Sequence, residues 1–158
     1  MYCYLYDELT QNQRFAPELA LIENRLTDLG IAGKIVRMAL FRNAQEMVRD
    51  EIRRGTTSVI AVGNDETVHR VIDVISGTNV TLGIIPLGEG NVLASLLGVP
   101  QGLAACDVLS ARIVETIDAG IVNGKRFLTS VSVPNFGAEL TCDGAYRIIP
   151  DEPGLLEI

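Results

Sequence analysis

Two short polar loops carry the residues of this sequence that are best suited to chemistry. The first loop contains Gly63, Asn64, Asp65, Glu66 and Thr67, and the second contains Gly88, Glu89, Gly90 and Asn91. Glycine lets a backbone approach a ligand closely, and a glycine-containing turn before a helix exposes N–H groups that favour a phosphate. The two loops are therefore the predicted binding site for a phosphate; the alternative on geometry alone is that they are ordinary turns between a strand and a helix.

The side chains of these loops have predicted roles in phosphoryl transfer, which needs a cradle of donors, a cation and groups that align the acceptor. Asp65 is predicted to hold a Mg²⁺-bound phosphate or to orient an acceptor hydroxyl, so it is the candidate metal ligand. An alternative role for Asp65 is to cap the helix that follows. Thr67 and Asn91 are predicted to donate hydrogen bonds to phosphate oxygens.

Both loops are predicted to follow buried strands and to precede helices. Val59–Val62 has no charge and is typical of a central parallel strand. The apolar residues that recur at helical spacing after it are Val68, Val71, Ile72 and Ile75. Thr81–Pro86 leads in the same way into a helix over 92–97. Both loops should therefore lie at the carboxyl ends of parallel strands, where open α/β sheets bind ligands.

The same alternation of strand and helix patterns extends over residues 1–110. The predicted strands also include Tyr2–Tyr6 and Lys34–Leu40, and the predicted helices also include Pro17 to Gly30, Asn43 to Gly55 and Gly102 to Leu109. Asn43 and Glu46 resemble a capping box, and Leu103, Cys106 (or Ala105) and Leu109 should lie on one side of the last helix. This order predicts an α/β fold, a three-layer, mainly parallel sheet with helices on both faces.

Residues 111–158 have a different pattern, typical of short antiparallel strands. Arg112–Val122 and Lys125–Val133 are predicted strands, and Asn123 with Gly124 between them predicts a hairpin. Glu139–Ile149 is a third predicted strand, and the tail over 150–158 is expected to cross the surface. Because three strands leave apolar edges open, we expect this β segment to pack on the α/β domain or to pair between two copies in a homodimer.

Composition and charge exclude several classes of function. The chain has 158 residues and a formal net charge of −7, which argues against a nucleic-acid-binding protein. Its three cysteines have no ligand spacing and predict reduced thiols in a cytoplasmic protein. No signal peptide is visible, and the longest charge-free run, Gly90–Cys106, is too short and too broken to span a membrane.

The two loops and their spacing resemble the catalytic domain of diacylglycerol kinases and sphingosine kinases. Residues 63–67 are similar to the Gly-Gly-Asp-Gly-Thr loop of that family, and residues 82–91 are similar to its second loop, usually Pro-x-Gly-Thr/Ser-x-Asn. The stretch from Asp118 to Gly124 fits the same pattern, and the resemblance covers about residues 30–145. It implies the fold of the NAD kinase and diacylglycerol kinase group, with ATP and Mg²⁺ as cofactors.

Several positions depart from the family pattern. Asn64 and Glu66 replace glycines of the family's first loop, and Glu89 replaces a small hydroxyl residue of the second. At ~6 Å and an effective dielectric constant of about 20, each carboxylate–phosphate pair costs roughly 3 kcal/mol, roughly a hundredfold in affinity. Alternatively, Asp65, Glu66 and Glu89 together hold a divalent cation.

Asp7–Arg14 lacks the proline and glycine of the family's opening loop, so we expect a solvated loop there.

The resemblance leaves three functions open. The first is the ATP-binding half of a kinase that phosphorylates a lipid or a related alcohol, since this sequence is expected to end about where the family's second, β-rich domain with its acidic general base begins. The second is a non-catalytic binding or assembly module with the same fold. The third is an NAD kinase-like protein. A plain dinucleotide-binding domain is disfavoured because no Gly-x-Gly-x-x-Gly follows the first strand.

Overall fold

A computed structural model describes residues 1–38, 43–135, 137, 139–142, 144–149, 151 and 154–157 of the chain. The strands of its main sheet are β1 (Tyr2–Tyr6), β2 (Lys34–Arg37), β3 (Ser58–Gly63) and β4 (Thr81–Pro86). The helices are α1 (Ala16–Asp28), α2 (Ala44–Arg53), α3 (Asp65–Ile75), α4 (Val92–Leu96) and α5 (Ala105–Ser110). Within these described residues, no helix is both long and apolar enough to cross a membrane.

The four strands form one parallel sheet in the order β2-β1-β3-β4. One face of the sheet packs against α2, α3 and α4, where Leu5 and Ala61 meet Val48 and Val71. The other face packs against α1 and α5, where Tyr4 and Val62 are buried with neighbours from those helices. The predicted parallel α/β sheet with helices on both faces is therefore confirmed.

The predicted boundaries of α1 and α2 agree with the structure to within two residues, because local signals determine them. Pro17 lies in the first turn of α1, whose buried residues are Leu19, Ile22 and Leu26. Gly30 follows α1 with a φ of 66°, a left-handed conformation that favours glycine at a helix end. Asn43 caps α2, since its Oδ1 accepts a hydrogen bond from the N–H of Gln45 at 2.9 Å. Among the described residues, no hydrogen bond joins the N–H of Asn43 to the side chain of Glu46, so only half of the predicted capping box is present.

Two expectations within the first 110 residues are corrected by the structure. Strand β2 ends at Arg37, earlier than the expected end at Leu40, which lies outside the described residues. Residues Gly102–Ala104 form a 3₁₀ turn before α5, so the expected helix is divided. Because a 3₁₀ turn has three residues per turn instead of 3.6, the side chain of Leu103 is turned outward and is exposed.

The second part of the chain consists of short antiparallel pairs. Strands β5 (Gly120–Val122) and β6 (Lys125–Phe127) form the predicted hairpin, with positive φ values at both turn residues, Asn123 and Gly124, as the tightest hairpin turns require. Residues 112–119 are not in a strand, so this hairpin is shorter than expected. It contacts the α/β domain, since β6 lies against α3.

Two further expectations for the second part are wrong. The single strand expected over Glu139–Ile149 is a hairpin of β8 (Leu140–Cys142) and β9 (Tyr146–Ile148). Gly144, with a φ of 70°, supplies the turn between them. The tail expected to cross the surface instead contains β10 (Gly154–Glu157), which pairs antiparallel with β7 (Ser132–Asn135). Such non-local pairing supplies hydrogen-bond partners that the local sequence does not indicate.

A buried carboxylate with two cationic partners lies where β2 begins, beside α2. Glu51 is only 4% exposed, and its Oε1 accepts from Lys34 Nζ at 2.6 Å and from Arg54 Nη1 at 2.9 Å. Burial raises the pKa of the nearby Cys3 thiol to about 11, and Glu51 adds to this increase while Lys34 opposes it. This cluster is at the amino end of the sheet, opposite the two predicted binding loops.

We expect Glu51→Gln to lower the free energy of unfolding by about 1–3 kcal/mol, because it leaves two cations beside an uncharged buried amide. The lower end of this range reflects the exposure of Lys34 and Arg54. Urea unfolding at neutral pH measures the change. The matched control is Asp50→Asn, which removes an exposed pair with Arg53 and should cost less than about 0.5 kcal/mol. Equal effects of the two substitutions would contradict a structural role of the buried cluster.

Candidate functional site

The candidate site lies at the carboxyl ends of the two central strands. From β1 the chain crosses to β2 on one side, and from β3 it crosses to β4 on the other side. Neighbouring strands whose connections run in opposite directions leave a crevice at their carboxyl ends, which is the usual ligand position in open α/β sheets. Asp7 follows β1, the first predicted loop follows β3, and the second predicted loop follows β4. The structure thus brings both predicted loops together with a residue that was not predicted.

The first loop is shaped by a close approach at Gly63. A Cβ atom at this position would lie 2.6 Å from Cβ of Asp7 and 2.8 Å from Oγ1 of Thr67, so a larger residue does not fit. Asn64 follows and caps α3, because its Oδ1 accepts from the N–H of Glu66 at 3.2 Å. The alternative in which Asp65 caps this helix is therefore wrong, since the cap lies one residue earlier.

Asp65 caps a different helix and links the two loops. Its Oδ2 accepts from the N–H of Val92 at 2.8 Å and its Oδ1 accepts from the N–H of Leu93 at 3.3 Å. Its own N–H donates to the carbonyl oxygen of Gly90 at 2.9 Å. We call these three hydrogen bonds the Asp65 latch. Because the latch engages the N–H groups of Val92 and Leu93, any backbone donor that the second loop offers to a ligand must come from residues before Val92.

The second loop leaves such donors available. Gly88 and Gly90 have φ values of 71° and 78°, and the carbonyl oxygen of Gly88 accepts from Asn91 Nδ2 at 3.0 Å and from Gln101 Nε2 at 3.2 Å. Among the hydrogen bonds of the described residues, none uses the backbone N–H of Gly88, Glu89 or Gly90. These three N–H groups can bind an anion. The side chain of Asn91 instead supports the loop from inside.

Asp7 is the residue of the candidate site that the sequence did not indicate. Its carboxylate accepts from the hydroxyl of Thr67 and, at 2.8 Å, from the N–H of Leu9. The segment expected to be a solvated loop forms two 3₁₀ turns, Glu8–Gln11 and Gln13–Phe15, with Phe15 buried. The signal that could have identified Asp7 is its position directly after the first strand, at the same sheet edge as both loops.

The acidic residues of the loops do not converge on one point. Glu66 is 69% exposed at its side chain and pairs with Arg70 at 2.5 Å, one turn further along α3. Glu89 is exposed as well. Within the described part of the chain, no three Asp, Glu, His or Cys side chains are arranged to hold a metal ion. The expected cation site of Asp65, Glu66 and Glu89 is therefore absent there. Exposure and the Arg70 partner also weaken the charge repulsion expected from Glu66.

Comparisons with known proteins agree with this geometry. A sequence profile of the family described as diacylglycerol kinase catalytic domain matches residues 2–122. A Mycobacterium tuberculosis protein named diacylglycerol kinase is 36% identical over 112 residues, which are 67% of this chain and 36% of the relative. A Klebsiella pneumoniae protein named probable lipid kinase YegS-like is 30% identical over 132 residues, which are 80% of this chain and 44% of that protein.

A solved structure shows the same fold. The crystal structure of a diacylglycerol kinase from Bacillus anthracis superimposes with a TM-score of 0.73 at 21% sequence identity, covering 84% of this chain and 47% of the other. The chain thus spans less than half the length of these relatives. The family profile begins at the first strand, earlier than the expected start near residue 30, and ends inside the first hairpin. The chain belongs to the diacylglycerol kinase catalytic-domain family.

Proposed function

We propose that this chain is the nucleotide-binding part of an ATP-dependent lipid kinase, which transfers a phosphoryl group to the hydroxyl of diacylglycerol or a related lipid alcohol. The observation that carries the proposal is the set of backbone N–H groups over Gly88–Gly90, at the crevice where α/β sheets bind ligands. Membership of the diacylglycerol kinase catalytic-domain family supports a nucleotide as the ligand. The chain spans 36% of the M. tuberculosis relative, and phosphoryl transfer by this chain is therefore proposed together with nucleotide binding.

The residues of the two loops have different roles in the proposed binding. The N–H groups of Gly88, Glu89 and Gly90 bind phosphate oxygens, and the Asp65 latch holds the second loop against the first. Mg²⁺ bound with the nucleotide would supply charge neutralisation, and Asp65, each of whose oxygens accepts a single hydrogen bond in the latch and keeps a further lone pair, would be its protein ligand. Thr67 and Asn91 were predicted as further phosphate donors, but their polar hydrogens are used inside the protein. Their contribution in the proposed site is therefore to its shape.

ATP with Mg²⁺ is expected to stabilise the protein in a thermal-shift measurement. At ~100 times its dissociation constant, a ligand adds about 2.7 kcal/mol, which corresponds to roughly 5–10 °C for a domain of this size. Mg²⁺ alone and AMP, which lacks the β and γ phosphates, are the controls and should give smaller shifts. The proposal of a nucleotide site is rejected when millimolar ATP with Mg²⁺ leaves the melting temperature unchanged.

Asp65→Ala should reduce the ATP-dependent shift, because the second loop loses the two acceptor bonds that place it. The loss of a helix cap also costs ~1 kcal/mol of stability without ligand. The matched control is Asp73→Ala, an exposed aspartate of the same helix, which should leave the ATP-dependent shift as it is. A full ATP-dependent shift in Asp65→Ala would show that the latch is not needed for binding.

A second candidate function is a non-catalytic assembly module with the same fold. Its support is the apolar surface of the second part of the chain, where the exposed side chains include Ile113, Val114, Ile117, Ile121, Ile148, Ile149 and Leu155. Exposed apolar patches and open strand edges mark surfaces for protein association. A homodimer through these β edges is the assembly that this candidate implies.

Size-exclusion chromatography with light scattering tests the homodimer. We expect twice the mass of the chain at micromolar concentration, and Leu155→Lys should shift the distribution toward one copy, because Leu155 is exposed on β10. Leu21→Lys, on an exposed position of α1, is the matched control and should retain the dimer. A monomer at micromolar concentration excludes the homodimer. A dimer without any ATP-dependent thermal shift would favour the assembly module over the kinase.

A further inference from the structure

We propose that Asp7 determines the specificity of the nucleotide site, by engaging the hydroxyl of Thr67 and by making binding depend on Mg²⁺. This inference rests on the nucleotide-binding function proposed above. Asp7 lies between the two central strands, since its N–H donates to the carbonyl oxygen of Val62 at 3.0 Å. Its carboxylate accepts from the Thr67 hydroxyl on one oxygen and from the Leu9 N–H at 2.8 Å on the other. Two hydrogen bonds thus place the carboxylate, and a third fixes the backbone of Asp7.

The bond to Asp7 removes Thr67 from phosphate binding. A threonine hydroxyl has a single proton to donate, and both an ionised carboxylate and a phosphate oxygen only accept. While Asp7 holds that proton, the Thr67 oxygen presents only lone pairs to other groups. Thr67 is also completely buried. A phosphate that approaches the first loop therefore meets no donor from this side chain.

The charge of Asp7 also acts on the ligand directly. No ion pair of the described residues includes Asp7, and the hydrogen bonds from the Thr67 hydroxyl and the Leu9 N–H hold its carboxylate beside the first loop. A fixed negative charge beside a polyphosphate repels it, and a divalent cation on the phosphates cancels most of that repulsion. Asp7 therefore favours binding of the metal complex of a nucleotide over binding of the free polyphosphate.

The test compares ATP affinity with and without Mg²⁺ for the wild type and Asp7→Asn by isothermal titration calorimetry. Without Mg²⁺, we expect Asp7→Asn to bind ATP at least tenfold more tightly than the wild type, because one repulsive charge is gone and an amide donor is gained. With Mg²⁺ the gain should be severalfold smaller. This dependence of the gain on Mg²⁺ is a readout that a purely structural change at residue 7 does not produce.

Asp28→Asn is the charge-matched control, since it removes one exposed carboxylate at the far end of α1 and should change the affinity less than twofold. Asp7→Ser, which also removes the charge, provides a second variant should Asp7→Asn fold poorly in far-UV circular dichroism. An Asp7→Asn/Thr67→Val double variant should keep most of the gain, because Thr67 is completely buried and the charge of Asp7 is what acts on the ligand. A double variant that binds ATP no more tightly than the wild type without Mg²⁺ would overturn this assignment to the charge of Asp7.

The outcomes separate this inference from the proposed function. Equal gains with and without Mg²⁺, or an Asp7→Asn affinity equal to that of the wild type, overturn the specificity role of Asp7 and leave the nucleotide site in place. No ATP binding by the wild type or by either Asp7 variant, at millimolar nucleotide and with Mg²⁺ present, overturns both.

Discussion

The hydrogen bonds from the start of α4 to the Asp65 carboxylate are the interaction on which the candidate site depends. They join the loop after β3 to the loop after β4, and a backbone bond from Leu87 to the carbonyl oxygen of Gly63 at 2.9 Å reinforces the link. A carboxylate at a helix N-terminus is favoured by the helix dipole. The same contact occupies the first N–H groups of α4, so the anion site that we propose in the second loop depends on the N–H groups of Gly88, Glu89 and Gly90.

Hydrogen bonds and an ion pair explain how acidic residues are accommodated in the loops of the candidate site. Asp7, Asp65 and Glu66 each have donors or a cation as partners: the Thr67 hydroxyl, two backbone N–H groups and Arg70, respectively. Charge-assisted hydrogen bonds of this kind hold ionised carboxylates in fixed positions. Among the described residues, no recorded hydrogen bond or salt bridge involves the side chain of Glu89, whose exposure allows solvent to screen its charge. The carboxylates of Asp7, Asp65 and Glu66 thus contribute to the structure of the loops.

The sequence predicted the sheet and both loops because these features are encoded locally. The buried strands of the βα units appear in the sequence as apolar runs. The end of α1 is indicated by Gly30, because its left-handed backbone conformation favours glycine. The helix cap at Asn64 could not be distinguished from one at Asp65, since asparagine and aspartate are equally good caps and the choice is made by the distant N–H groups of α4. Asp7 and the pairing of β10 with β7 were missed for the same reason, because their partners are far away in the chain.

The separation along the chain of the two key carboxylate contacts also sets an order in which the site can assemble. The two carboxylate bonds of the Asp65 latch join residues 27 and 28 positions apart, within two consecutive βα units, and closing such a loop costs little chain entropy. The contact of Asp7 with Thr67 spans 60 positions and requires β1 to lie beside β3. During folding, the two binding loops can therefore form their mutual contacts early. Asp7 reaches the crevice only once β1 has paired with β3. A chain whose first strand is displaced would keep the latch and lose the residue that we propose discriminates between ligands.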